Sequence, residues 1–277
     1  MKLLTFRYRT ATLAGVLEGD LVYPLPWPDV RAAATAGDEA IAEAASAAQP
    51  LPLNTLTVLA PVLQPGKIIA VGLNYRDHCL EQNLQPPDFP TIFAKLPSSV
   101  NHPGAEIRWD PVLTQQVDYE AELAVIIGRR ARRVPRKQAY DYIFGYTCLN
   151  DVTARDLQRR DKQWVRGKSL DTFCPMGPVV VTREQMPDPH GLAIRAYVNG
   201  ELRQESNTDQ LIHDVPALVA YCSAAFTLEP GDVITTGTPG GVGVFRDPPV
   251  FLAPGDEVVV EIEQIGRLVN RVGPYLT

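Results

Sequence analysis

The chain has 277 residues, 45% of them apolar, and a formal net charge of -6. That length can bury one large core, or one plus a small appendage. The acidic balance argues against a nucleic-acid or anionic-membrane surface as the main partner, and no apolar run approaches the ~20 residues that a spanning helix needs.

Cys79, Cys148, Cys174 and Cys222 are scattered without a paired Cys-x-x-Cys spacing, which indicates neither a zinc site nor a disulfide framework. The first residues show no secretory apolar region. A reducing cytoplasm is the expected compartment. Residues 3–24 alternate apolar and polar positions, with turns expected at Gly15 and at Glu18-Gly19-Asp20, the pattern of a small antiparallel sheet. Val30 to Gln49 is alanine-rich and reads as one helix of modest amphipathicity. The proline-rich stretch from Pro50 to Pro65 then places a boundary near residue 62. The expected organisation is a small N-terminal domain, 1–62, and a larger domain, 63–277.

Lys67 to Gly72 reads as a short apolar strand, and Leu73 to Glu81 has helical spacing. His78 and Glu81 fall one helical turn apart, so the carboxylate can take a proton from one imidazole nitrogen and leave the other as a base. The bland alternative is an exposed helix pair without a task. Pro86, Pro87 and Pro90 forbid further helix and make 82–90 a loop and a candidate lid. The strand Pro90 to Lys95 ends in a cation that either faces the site or caps a surface edge.

Val117 to Gly128 reads as a strand with Asp118, Glu120 and Glu122 sharing one face. Carboxylates at i and i+2 repel unless a cation or a shared proton lies between them, so Glu120 and Glu122 read as half of a divalent-metal site. A solvated edge-strand face is the competing reading. The basic run Arg129 to Lys137 reads as a solvated connection, or as a face that meets an acidic partner. Tyr140 to Asn150 is strand-like, and Asp151 stands at its end, either as a site residue or as a helix N-cap. Gly167-Lys168-Ser169 invites a phosphate-loop reading, but Lys162 occupies the position of that motif's first glycine.

Asn199-Gly200 marks a type I′ hairpin, and a helix is expected from residue 207 or 208 to Phe226. Leu228 to Asp232 and Leu252 to Asp256 are near copies, each a Pro-Gly turn leading into a strand. Between them, the glycines of Thr235 to Gly243 let backbone approach a ligand closely.

Taken together, several stretches resemble the fumarylacetoacetate hydrolase family over roughly residues 64–273. They are Gly72-Leu73-Asn74-Tyr75 with Asp77-His78 and Glu81; Asp118 to Leu123; Asn150 to Asp156 with Gln158; Gly167-Lys168-Ser169 before Asp171-Thr172; Val198-Asn199-Gly200; and Thr236 to Gly243. The resemblance is to its bacterial-type acylpyruvase and 2-hydroxyhepta-2,4-diene-1,7-dioate isomerase-like members. Cys79 stands where a small residue is more usual.

The resemblance implies a mainly β, α+β fold: a mixed β-roll or barrel-like core with short flanking helices, normally a homodimer. It implies Mg²⁺, Mn²⁺ or Ca²⁺ held by Glu120, Glu122 and Asp151, with His78 and Glu81 as the base pair and Lys168 near the substrate oxygens. Arg155, Gln158, Gly237 and Thr238 are substrate-binding candidates, and Lys95 joins them if it faces the site. The leading expectation is hydrolysis of a carbon–carbon bond in a 2,4-dioxo acid through a metal-bound pyruvate enolate, with water activated by the His78–Glu81 pair. The same motifs serve oxaloacetate decarboxylation, isomerisation of unsaturated dicarboxylates and dehydration. A non-catalytic binding protein fits poorly, because a scaffold has no need of clustered, repelling acids.

Overall fold

The strand Ala121–Ile127 lies inside a twelve-stranded sheet, between Ile143–Asn150 and Val233–Thr235, and every one of its residues is buried. Its two faces feed two cores. Leu123, Val125 and Ile127 join a cluster with Ile194, Ala196, Val258 and Val260, whereas Ala124 and Ile126 join one with Val30, Ala33 and Ile41. A strand covered on both sides needs an apolar run, which Leu123 to Ile127 supplies. The solvated-edge reading of the acidic strand is therefore wrong. The computed structural model describes residues 1–276, and among them no helix is long and apolar enough to cross a membrane.

The large sheet runs from Leu51–Pro52 through Leu21–Pro24, Ala11–Glu18, Lys2–Tyr8, Cys174–Thr182, Ile143–Asn150, Ala121–Ile127, Val233–Thr235 and Ile68–Gly72 to Thr91–Lys95. One face packs on a five-stranded sheet containing Ala193–Val198, Glu201–Asn207, Glu257–Ile262 and Gly266–Val272. The other is covered by the N-terminal helices. This is the mainly β architecture with short helices expected from the sequence. The hairpin turn at Asn199-Gly200 forms as expected, with both residues at positive φ.

Several boundaries differ from the sequence reading. Gly15 lies within the strand Ala11–Glu18 rather than in a turn; a Cβ there would lie 2.5 Å from Val22 Cγ1, so close strand packing is what needs the glycine. The alanine-rich helix breaks at Gly37 into Val30–Ala36 and Asp38–Ala47. Residues 140–142 end a 3₁₀ turn, Arg136–Tyr142, before the strand begins. The helix expected from 207 to 226 is shortened to Val215–Ala225, where Asp214 caps Ala217 N at 2.9 Å and Pro216 occupies the first turn. The basic run is a connection: Arg132 Nη1 donates to the carbonyls of Ser223 and Ala224 at that helix's C-terminus, and Arg130 and Arg136 pair with Glu229 and Asp214.

The N-terminal strands are continuous with the large sheet, because Lys2–Tyr8 pairs antiparallel with Cys174–Thr182. Leu3, Leu4 and Phe6 are fully buried there. Each such side chain contributes about 1.5–3 kcal/mol, against a typical total margin of about 5–15 kcal/mol. Residues 63–277 expressed alone are expected to lose cooperative urea unfolding and to aggregate through the uncovered edge of Cys174–Thr182. A sharp two-state transition at the wild-type midpoint would instead make 1–62 an independent domain.

Candidate active site

Sheet pairing brings three acids together. Glu120 precedes the strand Ala121–Ile127, and Glu122 is its second residue. Asp151 follows Ile143–Asn150, where Ala121 pairs with Asn150. Asp151 N donates to the Glu120 carbonyl at 2.9 Å, and Asn150 Oδ1 accepts from Glu120 N at 3.0 Å. All three carboxylates are buried, with one oxygen from each lying within 4.8 Å of the others. Asp151 does not cap the following helix, Arg155–Asp161; Ala154 stands at that position without a side-chain hydrogen bond.

Three buried cations compensate. Lys168 Nζ donates to Glu120 Oε2 and to Asp151 Oδ2, both at 2.7 Å. Lys95 Nζ reaches Asp151 Oδ1 at 2.6 Å and also donates to the Lys168 carbonyl. Arg155 binds Asp118 Oδ2 through Nε at 2.9 Å and Glu120 Oε1 through Nη1 at 2.7 Å.

Burial pushes Glu120 and Glu122 up and Lys168 down, and the neighbours decide the outcome. For Glu120, burial is overcome by Lys168 and Arg155, which hold the carboxyl down at about 2. For Glu122, burial is reinforced by the charges of Asp151 and Glu120, and the carboxyl rises well above its ordinary value. Lys168 is raised despite its burial, because Asp151 and Glu120 face it. An all-carboxylate donor set suits a hard divalent cation such as Mg²⁺ or Mn²⁺. The raised Glu122 marks the repulsion that such a cation would relieve, so the residues present fit the ion.

The opposite wall carries the base. His78 and Glu81 lie on the helix Arg76–Glu81, with His78 Nδ1 3.0 Å from Glu81 Oε2. Glu81 Oε1 accepts from Gly241 N at 2.9 Å, and Asp77 Oδ1 from Gly240 N at 3.3 Å. The helix is thereby seated on the glycine-rich loop. Gly241 has φ +100°, and a Cβ there would collide with the Arg203 carbonyl oxygen, so no other residue fits.

A cleft of about 250 Å³ opens between the walls, lined by His78, Glu120, Glu122, Arg155, Gln158, Lys168 and Thr238. Arg155 Nη2 has no partner among the described residues. Two of the sequence candidates lie elsewhere. Lys95 is 1% exposed and sits behind Asp151, away from the cleft wall, so it is an internal counter-ion of a metal ligand rather than a substrate contact. Gly237 donates its N–H to Glu122 Oε2 at 2.8 Å, so it positions an acid instead of a ligand.

Sequence reasoning missed other members. Gln82 and Arg159 line the cleft one helical turn after His78 and Arg155, a spacing that could have flagged them. Gln204 joins the sheets at the site: its Oε1 accepts from Ala121 N, and its Nε2 donates to Thr238 Oγ1 at 2.8 Å. Nothing local in sequence points to it.

Comparison with known proteins agrees with this geometry. The family described as Fumarylacetoacetate (FAA) hydrolase C-terminal matches residues 67–273. The protein named oxaloacetate tautomerase fahd2, mitochondrial, of Xenopus laevis is 50% identical over 79% of this chain and 69% of its own length. Oxaloacetate tautomerase YisK of Bacillus subtilis (strain 168) is 46% identical over 80% of this chain and 74% of its own. Among solved structures, a fumarylacetoacetate hydrolase from Exiguobacterium antarcticum is 41% identical, superposes with a TM-score of 0.90 and covers 99% of each chain.

Glu122 sets a pH dependence. A carboxyl raised in the folded state contributes stability that is present at low pH and lost as pH rises through the folded value. A cation must displace that proton. Mg²⁺ affinity is expected to increase with pH, with about one proton released per ion when calorimetry is repeated in buffers of different ionisation enthalpy. Glu122→Gln should weaken binding and abolish the release; a pH-independent affinity without release would contradict the assignment.

Proposed function

The chain belongs to the fumarylacetoacetate hydrolase family, and from that premise we propose that it interconverts the keto and enol forms of a small 2-oxo dicarboxylic acid, oxaloacetate first among them. One observation carries the reading: a carboxylate-oriented imidazole, with Nδ1 3.0 Å from Glu81, stands in the cleft that is also lined by Glu120 and Glu122 of the three-acid cluster. The names of relatives at about half identity support proton transfer over carbon–carbon cleavage. Hydrolysis of an acylpyruvate, the leading expectation from sequence, therefore takes second place.

A divalent cation held by Glu120, Glu122 and Asp151 would supply Lewis-acid polarisation of the 2-oxo group. The chain's own residues do the rest. His78, with Glu81 behind it, takes the proton from the carbon next to the carbonyl. The electron pair of that C–H bond forms the new C=C bond, and the carbonyl π pair moves to oxygen. Lys168, whose ammonium lines the same cleft, is the donor available to that oxygen. The unpartnered Arg155 Nη2 offers a charged donor to a substrate carboxylate. Thr238 Oγ1 already accepts from Gln204, which leaves its own hydrogen free to donate into the cleft.

The test follows the ultraviolet absorbance of enol oxaloacetate with Mg²⁺ and with chelator, alongside CO₂ release and cleavage of acetylpyruvate. Cation-dependent interconversion faster than either of the other reactions is expected, and dominant CO₂ release or dominant cleavage would overturn the reading. In the same assay His78→Ala should lose roughly 10²–10⁴-fold in turnover while Mg²⁺ affinity stays unchanged. Equal loss of both would make His78 a structural support rather than the base.

A further inference from the structure

The base pair has a third member. Gln82 follows the helix Arg76–Glu81 directly, and its Nε2 lies 3.0 Å from His78 Nε2 and 3.3 Å from the His78 carbonyl oxygen. A backbone carbonyl can only accept, so its contact fixes which end of the amide faces the ring: the nitrogen. An amide nitrogen can only donate, so His78 Nε2 is the nitrogen with the lone pair. The ring proton then lies on Nδ1 and is donated to Glu81 Oε2. Glu81 is held in turn by the N–H of Gly241. The run from Gly241 through Glu81 and His78 to Gln82 thus specifies one tautomer, and its last member covers the reactive lone pair.

We propose that Gln82 is a positioning and selectivity residue: it holds the Nδ1–H tautomer and occupies the place at Nε2 that a nucleophilic water would take. The base is thereby reserved for proton transfer with an anchored carbon acid. This inference rests on the tautomerase reading above.

The competition that it invokes is between three partners for one lone pair. An amide one helical turn away is tethered to the ring and outcompetes a free water by effective concentration. A substrate anchored by Arg155 and its neighbours is equally local, so it can displace the amide where water cannot. Once the carbon-bound proton has moved to His78, Nε2 becomes a donor. A half-turn of the Gln82 amide would present Oε1 to accept from it, at the cost of the bond from Nε2 to the His78 carbonyl. Water activation needs a different arrangement, with Nε2 open to a water that also faces the substrate carbonyl.

The experiment uses the Mg²⁺-loaded full chain and one substrate, acetylpyruvate, on which both outcomes can be read. Deuterium uptake at C3 in D₂O reports proton transfer, and acetate release reports water attack. In Gln82→Met, which keeps side-chain length but removes the donor, the ratio of cleavage to exchange is expected to rise about tenfold, the scale of one lost hydrogen bond. Gln82→Glu, which cannot donate when ionised, should follow Gln82→Met. Independently of any substrate, ¹⁵N spectra of the four histidines should show His78 as Nδ1–H in the wild type and as a tautomer mixture in Gln82→Met.

Unchanged ratios with an unchanged tautomer would overturn the proposal and leave Gln82 as a helix cap. Efficient cleavage by the wild type would overturn its selectivity role. If the wild type neither exchanges nor tautomerises its substrates, the tautomerase reading fails, and the histidine spectrum still decides whether Gln82 orients the ring.

Discussion

Burial of four carboxylates against three cations is the constraint on which the rest of the structure depends. Asp118, Glu120, Glu122 and Asp151 are all inside, and Lys95, Arg155 and Lys168 are inside with them. Removing such charges from water costs several kcal/mol per ion, so geometry must be close to ideal for the cluster to be tolerated. The fold meets that demand with backbone. Asp118 alone accepts from Gly243 N, Val244 N and Tyr119 N besides Arg155, and Glu122 from Gly237 N and Thr235. With all four acids ionised one negative charge would be left over, which Glu122 relieves by keeping its proton; a divalent cation would displace that proton and leave the cluster positive, attractive to an anion.

The loop that begins at Gly237 is the joint between the two walls. Its N–H groups serve the protein's own acids: Gly237 holds Glu122, Gly240 holds Asp77, Gly241 holds Glu81, and Gly243 with Val244 holds Asp118. Acids of the cation cluster and acids of the base helix are thus fixed by one short segment. A shift of that loop would move Glu81 and the three-acid cluster together. Read as sequence, the same glycines suggest backbone approaching a ligand. The physical requirement is the same, close approach of N–H to an anion, but the anion belongs to the chain.

What was legible in the sequence depended on period. The alternation at Glu120 and Glu122, the one-turn spacing of His78 and Glu81, and the place of Asp151 at a strand end each follow from local geometry, and each residue stands in the cluster or against its cleft. The fold class followed from the family resemblance. What escaped was tertiary. Lys95 ends a strand in either reading, and only the packing of that strand beside Asp151 turns it inward. Asp118 shares the acidic face in sequence, but its partner Arg155 lies 37 positions away and claims it. Gln204 comes from the other sheet. Helix breaks at Gly37 and before Asp214 were missed because alanine-rich and apolar composition carried the periodic signal through them.

Size and charge narrow what the cleft can accept. At about 250 Å³ it lies below the ~300 Å³ lower bound of sites for drug-sized ligands, so a substrate of a few carbons is favoured. Arg155 and Arg159 reach the same cleft from successive turns of one helix, with Lys168 beside them. Of the two arginines only Arg155 is buried, and it is already paired with Asp118 and Glu120 except at Nη2, whereas Arg159 is exposed and also donates to Gln116 Oε1. Under the proposed function, one substrate carboxylate would meet Arg155 Nη2 and a second would meet Arg159. Phe93, Trp164 and Phe245 supply the remaining wall. Under the proposed function, the cationic groups around this small cleft favour a short diacid.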